Sequence, residues 1–255
     1  MKEIKVNDYI WQYEFIEDEK NPNIVVNITV IIDEQRALII DTAFSEHAQM
    51  LKEQLKTKGI KPEIVVLSHY HPDHVCGVKE FDGCEFVGSA LYQFNLDNCK
   101  QWCPDHEFIV PTILIEETAA LEFGRHRLTF MHMPGHCQCS IITIINEDIV
   151  HVGDLVMKTS DRKSMLPYIG EDGSFLDHVQ SLHKILGLGC NIMLLAHGDA
   201  VMGKQHIMQE IDKRLFYLTK VHESSGKLPL EECLKGEITE YSLLRFHEKN
   251  LKHVQ

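Results

Sequence analysis

Ser68-His69-Tyr70-His71-Pro72-Asp73-His74 is the stretch whose reading decides the fold and the chemistry of this chain. Three imidazoles and a carboxylate crowd into the few positions from His69 to His74. They follow the continuous apolar run Ile64-Val65-Val66-Leu67, which has the character of a strand buried on both faces. Imidazole nitrogens suit zinc, iron and other first-row metals, and a carboxylate supplies charge compensation. In extended backbone His69 and His71 point to the same side by the period of two, so both can grip one ion. Pro72 turns the chain, and Asp73 and His74 beyond it can face a second ion. A His-rich surface loop is the bland alternative. The position past a strand end, where sites of α/β proteins collect, argues against it.

Working outward, RALIIDT (36–42), SEHAQMLKEQLKTKG (45–59) and EIVVLSH (63–69) read as strand, helix and strand, with Gly59 as the helix stop. IKVNDYIWQYEF (4–15) and NIVVNITVII (23–32) have strand composition before them. HRLTFMHM (126–133), SIITIIN (140–146), DIVHVGD (148–154) and NIMLLAHGD (191–199) continue the strand pattern, with a helix over 173–189. Strands with interspersed helices predict sheets packed face to face with helices outside. After residue 199 the character changes. Residues 204–226 and 238–254 each read as a helix. The division expected is a domain over 1–199 and a helical extension over 200–255, acting as a cap or a dimer contact.

The stretch from His69 to His74 resembles the His-x-His-x-Asp-His signature of the metallo-β-lactamase superfamily, and other elements follow in order. Asp41 stands in IIDTAF, similar to an early Asp-Thr-Gly element, with Ala43 where glycine is usual. His136 stands in MPGHCQCS, Asp154 in HVGDLV and His197 in LLAHGD. The resemblance covers about residues 20 to 200. It implies an α/β fold, a four-layer αββα sandwich, here with a C-terminal helical extension. It also implies two divalent metal ions, zinc first, with iron or manganese also compatible. His69, His71 and His136 would bind one ion, Asp73, His74 and His197 the other, and Asp154 would bridge them. Asp41 would orient the loop by hydrogen bonding. Asp73 and Asp154 are the carboxylates with catalytic roles in this scheme. Cys137 and Cys139 flank His136 and read as packing residues.

Composition bounds the rest. The net charge of −13 leans against nucleic-acid partners, which need a basic footprint. No apolar stretch approaches the roughly 20 residues of a membrane span. The polar start, MKEIKVNDYI, is unlike a signal peptide, so the expectation is a cytoplasmic chain whose 8 cysteines are reduced. The substrate expected is a small ester, thioester, lactone or phosphoester. The basic cluster of glyoxalase II-like relatives is not found, and the tyrosine that lactonase relatives place just after the bridging Asp is replaced by Leu155-Val156-Met157. Tyr168, in the loop from 158 to 173, is the residue that could substitute for it. Met202, Ile207, Met208, Ile211, Leu215 and Leu218 could form an apolar face over the site or pack on the sandwich. Two rival readings stand beside a hydrolase: an iron oxidoreductase of the persulfide dioxygenase type, and a metal-holding sensor without turnover.

Overall fold

Alternation of buried side chains along the strands sets the layers, as a computed structural model covering residues 1–254 shows. The first sheet runs in the order β1 (Lys2–Lys5), β2 (Ile10–Ile16), β3 (Val25–Asp33), β4 (Arg36–Ile40), β5 (Lys61–Val66), β6 (Glu85–Ser89) and β7 (Ile113–Ile115). β1 to β4 pair antiparallel and β4 to β7 parallel. On one face of this sheet Val26, Ile28, Val30, Ile39 and Val65 meet α1 (Ser45–Thr57), through Ala48, Leu51 and Leu55, and α3 (Gln93–Trp102), through Leu96 and Cys99. The intervening residues Ile31, Leu38, Ile40, Ile64 and Val66 point the other way.

They meet the second sheet. Its order is β14 (Val201–Met202), β13 (Ile192–Leu194), β11 (Ile149–His151), β10 (Ile141–Ile145), β9 (His126–His132) and β8 (Thr118–Phe123). Ile141, Ile145, Phe130, Leu128 and Leu194 fill the space between the sheets. Ile142, Ile144, Val150 and Met193 face outward onto α4 (Phe175–Leu188) and α5 (Lys204–Glu223). The result is a four-layer αββα sandwich, the architecture expected.

The extension beyond residue 199 packs against this frame. Ile207, Ile211 and Leu218 are buried in the same apolar cluster as α4 and the outer face of the second sheet, while Met202 and Met208 stay exposed. The apolar stripe of α5 therefore lies on the sandwich and not over the site. The helix expected over 238–254 is broken. Tyr241–Ser242 (β15) pair parallel with Ser164–Met165 (β12), Leu243 takes a positive φ of 53°, and only Phe246–Asn250 (α6) is α-helical. Strand pairing with a distant loop outweighs local helix propensity here. The strand expected over 4–15 also divides. Asn7 Oδ1 accepts from the amides of Tyr9 and Ile10, turning the chain into a hairpin. Strands β6 to β8 and helix α3 were not anticipated. Inside the expected His-rich loop, Pro72–Val75 form the single turn α2, with Pro72 at its first position.

One buried polar network ties α5 to the loop after β11. Glu210 accepts from Lys158 Nζ at 3.0 Å, Arg214 Nη1 at 2.7 Å and Ser164 Oγ at 2.9 Å. Arg214 is 1% exposed and also donates to the Met157 carbonyl. Burial works to raise the Glu210 carboxyl, but Arg214 and then Lys158 outweigh it and hold the group down at about 2, against an ordinary 4.5. A depressed carboxyl contributes stability above its unfolded value and loses it as pH falls through the folded one. Glu210→Ala is therefore expected to cost on the order of 3 kcal/mol in urea unfolding at neutral pH. The gap to the wild type should close as pH falls from about 4.5 towards about 2; a gap independent of pH would refute an electrostatic role.

Candidate metal centre

The site lies where strands stop. Asp41 follows β4, Ser68 to His74 follow β5, His136 follows β9, Asp154 follows β11 and His197 follows β13. All five are carboxyl ends, and the loops that leave them meet at one edge of the seam between the sheets. Cross-sheet hydrogen bonds lock that seam. Asn27 Nδ2 donates to the carbonyls of Leu195 at 3.1 Å and Gly198 at 2.7 Å, and the Ile141 amide donates to the Ser68 carbonyl at 2.8 Å.

The seven residues singled out in the sequence converge as two groups sharing Asp154. His69, His71, His136 and Asp154 form one; Asp73, His74, His197 and Asp154 form the other, each with its donor atoms within 4.8 Å of one another. In the first, His71 Nδ1 lies 3.1 Å from His69 Nε2 and 2.9 Å from His136 Nε2, and Asp154 Oδ2 lies 3.8 and 3.6 Å from His69 and His136. In the second, Asp154 Oδ1 is 3.4 Å from His74 Nε2 and 3.3 Å from His197 Nε2, and Asp73 Oδ2 is 3.5 and 3.3 Å from the same nitrogens. Ligands at 2.0–2.1 Å around a tetrahedral zinc stand about 3.3 Å apart. Both groups thus have the spacing to hold an ion. His74 Nε2 and Asp154 Oδ1 are buried without a hydrogen-bond partner among the described residues, as atoms that ligate a cation would be.

In four of the five rings, those of His69, His74, His136 and His197, the nitrogen turned away from the centre has a partner. Asp41 Oδ2 faces His74 Nδ1 at 2.9 Å, and its carboxylate also accepts from the Ser68 amide and hydroxyl, both at 2.8 Å. His136 Nδ1 donates to the Tyr168 carbonyl at 2.9 Å and His197 Nδ1 to the Val25 carbonyl at 2.7 Å. Ser68 Oγ is 3.1 Å from His69 Nδ1. These contacts dictate which nitrogen presents its lone pair.

Electrostatics separates the groups. Burial holds His69 well below its ordinary value, lowers His71 and brings His136 down to about 3, so these rings are neutral donors. Burial opposes charge at His74 too, but Asp73, Asp154 and Asp41 outweigh it and raise the ring well above its ordinary value. Asp154 does the same at His197. In return His74 and His197 hold both Asp73 and Asp154 far below the carboxylate range despite their burial.

A cleft of about 290 Å³ opens on the cluster. Tyr168 stands in its wall, its ring 5.7 Å from that of His136 and 5.0 Å from that of Phe246. Met165, from the same loop over 158–173, and Met157 just before it also line the cleft. Sequence reasoning missed Trp102, Glu17 and Asp18, and also Arg245, Phe246 and Lys249. The last three sit in the expected second helix; the spacing of two cations around an aromatic was a readable signal, but the assumed helix hid it. Cys137 and Cys139 are fully buried, with Sγ atoms 3.5 Å apart, and neither belongs to either donor group.

A buried two-group donor cluster at the edge of an αββα sandwich defines a class, the metal-dependent hydrolases of this fold, and comparison with known proteins agrees. The family model described as the metallo-beta-lactamase superfamily matches residues 22–197. The chain belongs to that superfamily and, within it, is a hydrolase. A chicken protein named acyl-coenzyme A thioesterase MBLAC2 is 27% identical over 192 residues, 64% of this chain and 67% of that one. A hydroxyacylglutathione hydrolase of Francisella philomiragia is 29% identical over 107 residues, 42% of this chain and 37% of its own. The chain thus spans between 37 and 67% of these two relatives. A metallo-beta-lactamase structure from Pontibacter korlensis superposes with a TM-score of 0.66 at 15% identity, covering 83% of this chain and 98% of that chain, a likeness of fold.

His136 depends on the glycine before it. Gly135 has φ 144°, and a Cβ there would lie 2.3 Å from the Cα of His178 in α4, which is backbone and cannot yield. Gly135→Ala is expected to lower stability by about 2 kcal/mol or more and to displace the His136 loop. Thermal unfolding beside a circular dichroism spectrum checks this; an unchanged melting temperature would contradict it.

Proposed function

We propose that the protein is a dinuclear metal-dependent thioesterase acting on acyl thioesters with an anionic carrier. The observation that carries the reading is a single buried carboxylate, Asp154, shared by two imidazole donor groups that open on a cleft with an apolar wall and with exposed Arg245 and Lys249 in its lining. In this reading His69, His71 and His136 hold one ion, Asp73, His74 and His197 the second, and Asp154 bridges them. Two such ions would supply a water ionised near neutral pH and a Lewis acid for the scissile carbonyl. The Asp73–His74–His197 group is as compact as the first, which favours two ions over the single iron of a dioxygenase.

The side chains of the chain do the rest. Asp73, 19% exposed at the cleft, can accept the proton lost by the attacking water. Trp102, Met157, Met165, Tyr168 and Phe246 offer an apolar bed for the acyl chain. Arg245 and Lys249 can pair with the phosphates of a coenzyme A-like carrier. A leaving thiolate, whose thiol has an ordinary pKa of about 8.5, departs without a proton donor. That suits a cleft whose histidines are all committed to the donor groups. The thioesterase relative supports the same chemistry.

The test is hydrolysis of acyl-coenzyme A by the metal-loaded protein, followed by release of free thiol. His71→Ala should lower kcat/KM by at least about 100-fold, since one ion loses a ligand. Arg245→Ala with Lys249→Ala should raise KM for acyl-coenzyme A and leave uncharged acyl-N-acetylcysteamine thioesters unaffected. No thioester turnover, or one iron per chain with oxygen consumption, would sink the proposal. Asp41→Asn should weaken cation retention by about 10- to 100-fold in chelator competition, through the freed His74 ring.

A further inference from the structure

A third donor cluster lies behind the site and shares no residue with it. Cys76, Cys103 and His106 place two thiol sulfurs and a ring nitrogen within 4.8 Å of one another. Cys76 ends the turn α2 that carries Asp73 and His74, and it is 1% exposed. Cys103 ends α3, its amide bonded to the Cys99 carbonyl at 2.8 Å. Pro104 stops the helix there, and a turn closed by the His106 amide on the Cys103 carbonyl at 3.1 Å brings the imidazole back over the helix end. The Nδ1 of His106 is buried and has no hydrogen-bond partner among the described residues. A buried, unpartnered imidazole nitrogen beside two thiols is a donor set suited to a soft metal ion.

We propose that Cys76, Cys103 and His106 bind a thiophilic divalent ion of the zinc class, a site separate from the seven-residue cluster. Two sulfurs and one nitrogen fill three tetrahedral positions, and water takes the fourth on the side where Cys103 and His106 are half-buried. As the ion enters, the two thiol protons leave to solvent. The ion joins α2 to the C-terminal end of α3. Trp102, adjacent to Cys103, lines the cleft with its ring 6.3 Å from that of His71. The site thus staples the Trp102 wall to the turn bearing Asp73 and His74, in a segment where residues 103–112 have no regular structure of their own.

Cobalt(II) titration of the metal-stripped full chain tests this. The seven-residue cluster offers only nitrogen and oxygen, so a near-ultraviolet thiolate-to-cobalt charge-transfer absorption reports the cysteine site whether or not the dinuclear reading holds. The wild type should show that absorption. Cys103→Ser and His106→Asn should lose or strongly weaken it and bind one ion per chain fewer, and Cys137→Ser should keep it. Cys103 and His106 are partly exposed, and circular dichroism confirms that these variants fold. No charge-transfer absorption in the wild type, or undiminished absorption in Cys103→Ser, overturns the proposal. So does a mass 2 Da low with Cys76 and Cys103 joined as a disulfide in anaerobically isolated protein.

Discussion

Both oxygens of one buried carboxylate face histidine rings at the seam between the two sheets. Asp154 is 7% exposed, with Oδ1 turned to His74 and His197 and Oδ2 to His69 and His136. A carboxylate taken out of water at such a place costs several kcal/mol unless positive charge stands close to it. The carboxylates around His74 and His197 raise both rings well above the ordinary imidazole value, so positive charge is favoured beside Asp154. A cation held there would supply the charge instead, each ring giving up a proton as its lone pair turned to the ion. The site is therefore a place where charge must be present, and the chain offers two ways to supply it.

Convergence of that kind needs rings held from behind, and the anchors come from elements far apart in sequence. Asp41 leaves β4 with a positive φ of 62° and spends its carboxylate on Ser68 and His74. The carbonyl of Val25, the first residue of β3, orients His197. The Tyr168 carbonyl orients His136. Gly77 belongs to the same scheme, since a Cβ there would strike the Thr42 carbonyl oxygen at 2.4 Å and Ala48 Cβ at 2.5 Å. Close packing of α1 on the turn α2 thus fixes where Asp73 and His74 stand. The sandwich core matters to the chemistry because it sets these backbone positions.

The layers and the stretch from His69 to His74 were legible in the sequence for a physical reason, whereas His136, Asp154 and His197 were singled out by their order and the family resemblance. A strand buried on both faces reads as an unbroken apolar run, and polar residues placed at its end stand out against it, as His69 to His74 do after Ile64 to Leu67. The sequence order of the motifs carried over to space because parallel strands β4, β5, β11 and β13 put their carboxyl ends on one side. What stayed hidden was long-range. Residues 238–254 have helical composition, yet the pairing of Tyr241 with Ser164 and of Ser242 with Met165 breaks the run. No local signal marks that contact, and it brings Arg245 and Lys249 to the cleft. Trp102 was hidden because α3 itself was not anticipated.

The same contrast separates the donor cluster from the wall of the cleft. The cluster is held by five strand ends and an apolar core. The wall is held by polar stitches: Asn250 Nδ2 donates to the Pro167 carbonyl at 2.7 Å, Asn250 Oδ1 accepts from the Ile169 amide at 3.0 Å, and the Asn250 amide also reaches the Tyr217 hydroxyl. Asn250 is fully buried, so these bonds are made away from water and fix Tyr168 between them. A single asparagine thus sets the distance from the C-terminal segment to the loop that orients His136. Changes in residues 243–249 can alter the shape and charge of the cleft while this clamp holds the geometry behind it. The wall and the cluster meet at several such points: the Tyr168 carbonyl accepts from His136 Nδ1, the Gly170 amide donates to the His136 carbonyl at 2.8 Å, and Glu17 Oε2 lies 3.3 Å from His197 Nδ1.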